Sequence, residues 1–310
     1  MRCRGLANAG IMLATLLLVP CSAHAQATTQ QADPATAGEP DIVVTGRVRP
    51  PPPPNEVARQ ARAVTRPQNM HHEPLARFED RLCPGILGMK VDYAGMMIDR
   101  IRDNAEQLGM WMADDEDCSP NFIVAFVSDG QAQLADLERK FGYMFDDLRL
   151  SERTALLAET GPVRVWTSTA MRTRDGMPIA RAQSLVDPPI VSMWMAHSKI
   201  YTAVREDITQ VLVVFDASGV AGKSLVQLAD YATMRGFART RPVEDDPAME
   251  TILTLFHSDQ PPGEMTEFDR AYLAALYDSI PNIPGITKLL GVNRQLRLQA
   301  AREEGEAQAP

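Results

Sequence analysis

No apolar run in this 310-residue chain reaches the roughly 20 residues that a membrane-spanning helix needs; the best, Ile11 to Val19, is cut short by Pro20. Once the first residues are removed, no membrane span is therefore expected. Positive charge is scarce as well: 31 Lys and Arg stand against 40 Asp and Glu, a formal net charge of −9, with no basic stripe. Such a balance repels phosphates, so neither nucleic acid nor anionic lipid is an expected partner. Cysteine is limited to four residues, none in the C-x-x-C spacing of a redox or zinc site.

What is present begins at the N-terminus. Arg2 and Arg4, the apolar run Ile11 to Val19 and the small-residue ending Ala23-His24-Ala25 form the pattern of an export signal. Cleavage after Ala25 or Ala27 and a periplasmic or secreted location follow as expectations. Lipoprotein signals resemble this segment at Cys21, but carry a small residue where this chain has Pro20. Loss of residues 1–25 removes two arginines and no acidic residue, leaving 29 basic against 40 acidic residues and a net charge of −11. Cys83 and Cys118 remain, an even pair in an oxidising compartment. A disulfide between them is expected and would stabilise by about 4 kcal/mol in the chain-entropy model.

Composition divides the remainder. Residues 26–74, rich in Ala, Thr, Gln and Pro and containing the run Pro50 to Pro54, read as a disordered, proline-rich arm or linker. Within it, Asp41-Ile42-Val43-Val44-Thr45-Gly46 resembles a stretch near the mature N-terminus of TonB-dependent outer-membrane receptors. The resemblance implies an isolated docking strand for an envelope partner, because the helical patterns downstream cannot supply those receptors' barrel. Residues 75–301 read as a single globular α+β domain, and 302–310 as a frayed acidic tail.

Inside the domain, apolar spacing predicts helices over 91–108, 223–239, 247–256, 267–278 and 285–301, with shorter ones after Asp129 and Ser151. Strands are expected at Phe122 to Val127, Pro162 to Thr173 and Gln210 to Phe215, the last central. The stretch Met177 to Ser198 reads as a loop over the sheet, and Asp114 to Asp117 as a solvated loop without the spacing of a calcium site. Strands early and helices late suggest a small mixed sheet packed with helices.

The motifs that carry chemistry are incomplete. Ala217-Ser218-Gly219-Val220-Ala221-Gly222-Lys223-Ser224 follows a strand and opens a helix, but has alanine where a phosphate-binding loop has its first glycine. A strand-to-helix turn is the simpler account. The same strand and helix, followed by Met265-Thr266-x-x-Asp269 and Leu276-Tyr277, resemble the C-terminal half of zinc metallopeptidases of the zincin class, over about residues 210–280. In that class a helical H-E-x-x-H-x-x-G places two histidines on zinc and a glutamate on water. In register with Gly236, this chain has Ala229 and Thr233 at the histidine positions and Asp230 at the glutamate position. The resemblance therefore implies a zincin-like scaffold without its metal ligands, used for binding.

Other polar residues are sparse. His71 and His72 fall in the arm, and His257 follows an apolar helix end. His197 beside Ser198 is the one histidine of the domain in an interesting setting, with Asp230 or Asp207 as a conceivable acid-base partner. The sixteen methionines fall mostly at apolar positions, where they fill core space. Two functional classes follow. The first is a non-catalytic, exported binding domain whose partner is another envelope protein or a wall component, with no cofactor or metal. The second is a hydrolase with a site around His197 and Asp230.

Overall fold

The computed structural model describes residues 52–113, 118–179, 186, 193 and 197–307. Its framework is a five-stranded sheet, and one strand organises the rest: β5, Arg205–Asp216, the most continuous β-branched and aromatic segment of the chain. Along one edge of β5 runs β4, Val163–Arg172, antiparallel, from Val163 opposite Phe215 to Arg172 opposite Arg205. Along the other edge two parallel strands lie end to end. The first is β1, Arg77–Phe78, at the start of β5, and the second is β3, Phe122–Val127, at its end. Outermost, β2, Pro84–Leu87, pairs in parallel with β3. The β4 register shifts between Ser168 and Thr169, and the pairing with β5 then resumes from Thr169 opposite Ile208 to Arg172 opposite Arg205.

Seven α-helices are described, and they cover both faces. After β2 comes α2, Val91–Gln107, closed by Gly109 at φ +69° as the left-handed stop requires. After β3 come α3, Gly130–Lys140, and α4, Leu150–Ala158, on the opposite face, where Leu134, Phe145, Leu156 and Trp166 form a small separate core. Asp129 caps α3 by accepting the Ala132 N–H at 2.9 Å. After β5, α5, Leu225–Phe237, is buried on all sides from Leu228 onward, as an apolar helix between a sheet and other helices must be. Gly236 permits this approach: a Cβ there would lie 2.3 Å from the Phe122 ring. Helices α6, Glu267–Tyr277, and α7, Gly285–Ala307, complete the main core.

The small mixed sheet packed with helices matches the sequence expectation, while several boundaries move. The folded region starts earlier than residue 75. Pro54 opens a helix, α1, Pro54–Val64, whose Val57, Ala61 and Val64 are buried and whose end is fastened by a Thr65–Thr240 bridge. Three apolar residues one turn apart suffice because α7 supplies the complementary stripe, and the preceding prolines disguise the pattern. The predicted helix over 247–256 is instead a single 3-10 turn, Ile252–Thr254, held by the Asp269 carboxylate, which accepts from the Thr251 hydroxyl at 2.5 Å and the Ile252 N–H at 2.8 Å. Most of the 302–310 tail continues α7. The export signal, residues 26–51, Asp114 to Asp117 and most of Met177 to Ser198 lie outside the described residues.

Cys83, at the end of the loop leading into β2, and Cys118, just before β3, are joined with their sulfurs 2.00 Å apart. Asn121 supports the joint, its side chain accepting the Cys83 N–H at 2.9 Å and donating to the Arg81 carbonyl at 2.9 Å.

Candidate functional site

Two polar regions stand out, and the first is the helix at which the zincin resemblance points. Ser224 caps α5 in a reciprocal box: its hydroxyl accepts the Gln227 N–H at 3.1 Å, and the Gln227 side chain accepts the Ser224 N–H at 3.0 Å. In the preceding turn, Gly219 sits against Pro162, where a Cβ would meet that ring at 2.4 Å, and the Lys223 ammonium lies 6.0 Å from the centre of the Phe256 ring. The serine and lysine of the phosphate-loop-like segment are thus engaged by the protein itself.

One turn further, Ala229, Asp230 and Thr233 are all fully buried. Asp230 is saturated. One carboxylate oxygen accepts from Arg100 Nε at 2.8 Å and Asn104 Nδ2 at 2.9 Å; the other accepts from a terminal nitrogen of Arg100 at 2.7 Å and the Met265 N–H at 2.7 Å. Asn104 also donates to the Thr233 hydroxyl at 3.3 Å. Arg100 and Asn104 lie one turn apart on α2, so the face of α5 that carries Asp230 and Thr233 is sealed by another helix. Bonding to Asp230 raises the Arg100 pKa above its ordinary value, against the cost of burial, and Glu264 adds a bond at 3.0 Å. With four donors on two oxygens, Asp230 has no acceptor capacity left for a substrate proton.

The remaining residues singled out from the sequence are dispersed. His197 is exposed and makes no hydrogen bond or ion pair with Asp230 among the described residues. Arg235, further along α5, is also buried and donates to the Thr240 carbonyl at 3.1 Å and the Tyr231 hydroxyl at 2.9 Å, away from His197's exposed position. Asp207 is buried beside Arg205 at 2.9 Å and Arg172 at 3.2 Å; burial raises its pKa and the Arg205 charge opposes the rise. His257 lies 3.8 Å from Glu244, and His71 and His72 are exposed on the segment after α1. Thr266 and Asp269 form the N-terminal box of α6, and burial pushes the Asp269 carboxyl up in pKa despite its four bonds. Among the described residues, no group of three or more His, Cys, Asp or Glu is arranged to hold a metal ion.

The second region had no signature in the sequence. Past the irregularity in β4, residues of β4, of β5 and of the segments leading into β1 and α4 line an open cleft of about 710 Å³, inside the range of about 300–1,000 Å³ typical of ligand sites. Its lining mixes apolar residues, Pro74, Ala170, Met171, Pro178 and Ile179, with polar ones, Glu73, Thr169, Arg172, Glu206 and, from the turn that enters α4, Asp146, Asp147 and Arg149. A recess of about 60 Å³ adjoins it, sharing Glu73, Asp147, Arg149 and Glu206 and adding Gln68, Glu152 and Arg239.

Ion pairs fix the back of this recess. Arg239 reaches Glu206 at 2.7 Å and Glu152 at 3.6 Å, and Arg66 reaches Glu152 at 3.6 Å. Burial, reinforced by the Arg239 charge, lowers the Arg66 pKa to about 10. Arg239 is the sole non-glycine residue at positive φ among the described residues, at +46°, a conformation that costs on the order of 1 kcal/mol and is held here by its two carboxylate partners. At the mouth, Arg149 pairs with Glu73 at 3.0 Å while remaining largely exposed. The Asp146 carboxylate has no partner among the described residues.

No family model, curated protein or solved structure matches this chain.

Proposed function

We propose that this chain is an exported, non-catalytic binding domain of the cell envelope, built on a scaffold that resembles zincin metallopeptidases without their zinc ligands. One observation carries the reading. Asp230, at the position of the catalytic glutamate, spends both oxygens on Arg100, Asn104 and the Met265 N–H, and the helix surface around it is buried against α2. A carboxylate so enclosed is a structural strut, and Ala229 has no metal-binding group. The Cys83–Cys118 bridge is compatible with an extracellular or periplasmic location, and no described helix is long and apolar enough to cross a membrane.

The test is metal analysis of the purified protein after exposure to zinc, combined with hydrolysis assays on unstructured peptide substrates. The expected result is no stoichiometric zinc on α5 and no peptide cleavage. One zinc per chain that disappears on Asp230→Asn would overturn the proposal, as would peptidase activity lost in the same variant.

A further inference from the structure

We infer that the exposed face of α7 is a self-association surface, on which the same helix of a second copy of this chain lies antiparallel. The inference is independent of the binding-domain reading. Three features of α7 carry it.

The first is unpaired charge. Arginines elsewhere in the described structure are mostly seated on carboxylates, as Arg100 is on Asp230, Arg149 on Glu73, Arg153 on Glu138 and Arg239 on Glu206. On α7, Arg294, Arg297, Arg302, Glu303 and Glu304 are all exposed, and none has an ion pair among the described residues. The charges are also sorted by sign: residues 285–302 hold Lys288 and these three arginines but no acidic residue, and two glutamates follow at once. Arg294 and Arg297 stand three residues apart, a spacing at which like charges repel, and Glu303 and Glu304 lie near the C-terminal end of α7, where the helix dipole disfavours negative charge. Along their own helix, Arg294 and Arg297 are about 9 to 15 Å short of these glutamates, beyond the one-turn spacing at which helical side chains meet. An antiparallel second copy brings its Glu303 and Glu304 opposite them, and two-fold symmetry makes the same pairing twice.

The second is the apolar content of that face. Leu290, Arg294, Arg297, Leu298 and Ala301 recur at helical spacing on the side turned away from the buried Leu289, Val292 and Leu296. Leu290 is 60% exposed and Leu298 41%. Leu298 and Ala301 fall in the middle of the overlap, giving it an apolar centre between flanking ion pairs.

The third is that α7 outruns the rest of the fold. It continues to Ala307, yet every residue from Ala301 to Gly305 is exposed, so more than one turn has nothing packed on any side. A free helix end has no tertiary contact to hold it, and a second copy supplies one. The overlap is centred level with Gln299, where α7 leaves the body. Three turns of paired helix are a small contact beside the roughly 1,200 Å² at which standard interfaces begin, so the dimer expected is weak and sensitive to salt.

Sedimentation equilibrium of residues 26–310, from about 5 to about 500 μM, is the test, with circular dichroism as the check on folding. The unsubstituted chain is expected to dimerise, with a dissociation constant that rises at least about tenfold between about 0.05 and about 0.5 M salt. Two doubly substituted chains follow, Arg294→Glu with Arg297→Glu, and Glu303→Arg with Glu304→Arg. Each alone is expected to associate at least about tenfold more weakly, because like charges then meet across the axis, and their equimolar mixture is expected to recover dimers. All four side chains are exposed, so the fold is retained, and a misfolded chain could not be rescued by mixing. A chain monomeric at every concentration would overturn the inference, as would a dimer that salt strengthens, a dimer indifferent to both substitutions, or a mixture no more associated than its components. A monomer that sediments with phosphatidylglycerol vesicles would overturn it as well, reassigning the face to an anionic lipid surface.

Discussion

The α5 network and the β4-edge cleft are built from the same residue types, arginines facing carboxylates, yet they stand in opposite states. At α5, every oxygen of Asp230 is consumed by donors from α2 and from the segment that enters α6, and the carboxylate is fully buried. At the cleft, Arg149 is mostly exposed with one partner, Asp146 has none among the described residues, and a volume of about 710 Å³ stays open beside them. The contrast teaches that charged residues in a fold declare a role through what remains unspent. A saturated buried cluster specifies packing, and an unsaturated one at a concave edge is available to a ligand.

The comparison can be broken or sharpened by measurement, and the largest effect should come from the closed region. Asp230→Ala leaves the Arg100 guanidinium and the Met265 N–H without their acceptor, and should cost about 3–5 kcal/mol in chemical denaturation. A loss below about 1 kcal/mol would show that the network is not structural.

Lys288 tests another closed part of the core, near Arg77 and Glu79, through pH. It is buried on α7, its ammonium has no hydrogen-bond partner among the described residues, and burial, with the Arg77 charge adding to it, lowers its pKa to about 7. The unfolded chain takes up this proton near 10.5, whereas the folded chain does so only near 7. Stability therefore falls as pH drops from about 10.5 to about 7 and is flat below that. Lys288→Met should remove this slope, stabilising by an amount on the order of 3 kcal/mol at pH 7 that vanishes toward pH 11. Thermal melts of both proteins across that range provide the check, and parallel curves would refute it.

Next in size is Gly236→Ala, which forces a Cβ against the Phe122 ring and should cost about 2 kcal/mol despite alanine's better helix propensity. Equilibrium unfolding of this single variant measures it, and a stabilised protein would mean that the α5–sheet approach is loose. Smallest is Arg149→Ala at the mouth of the cleft. Its exposed pair with Glu73 should contribute no more than about 0.5 kcal/mol, so stability in chemical denaturation should hardly move. A large destabilisation would place the cleft among structural clusters and erase the contrast.

Much of the fold was legible in the sequence because its long elements announce themselves. The periodicity of Val91 to Leu108, the apolar run at Phe122 to Val127 and the helix start at Asp129 all correspond to elements in the structure. Strands β1 and β2 escaped notice because two and four residues are too few to show alternation. Helix α1 was hidden because its three core residues follow a proline run, and its stability comes from a partner helix more than two hundred residues away. Asp230 was singled out for its place in a motif, but what it does depends on Arg100 and Asn104, which nothing local links to it. The cleft was wholly illegible. It gathers Glu73, Asp146, Arg149, Arg172 and Glu206 from four stretches of chain, and residues so scattered meet only in the folded chain.

The register of the sheet depends on a strand that emerges late. Among the described residues, β1, β3 and β4 have no sheet neighbour in common except β5, and β2 reaches it only through β3. A chain emerging from its N-terminus has therefore exposed four strands' worth of β-prone sequence before residues 205–216 arrive to join them. Apart from the short β2–β3 pairing, nothing in the sheet can be made in instalments. Acquisition of structure should be a single late event with slow, non-local kinetics, and a chain truncated before Arg205 should behave as a sticky, sheetless polymer.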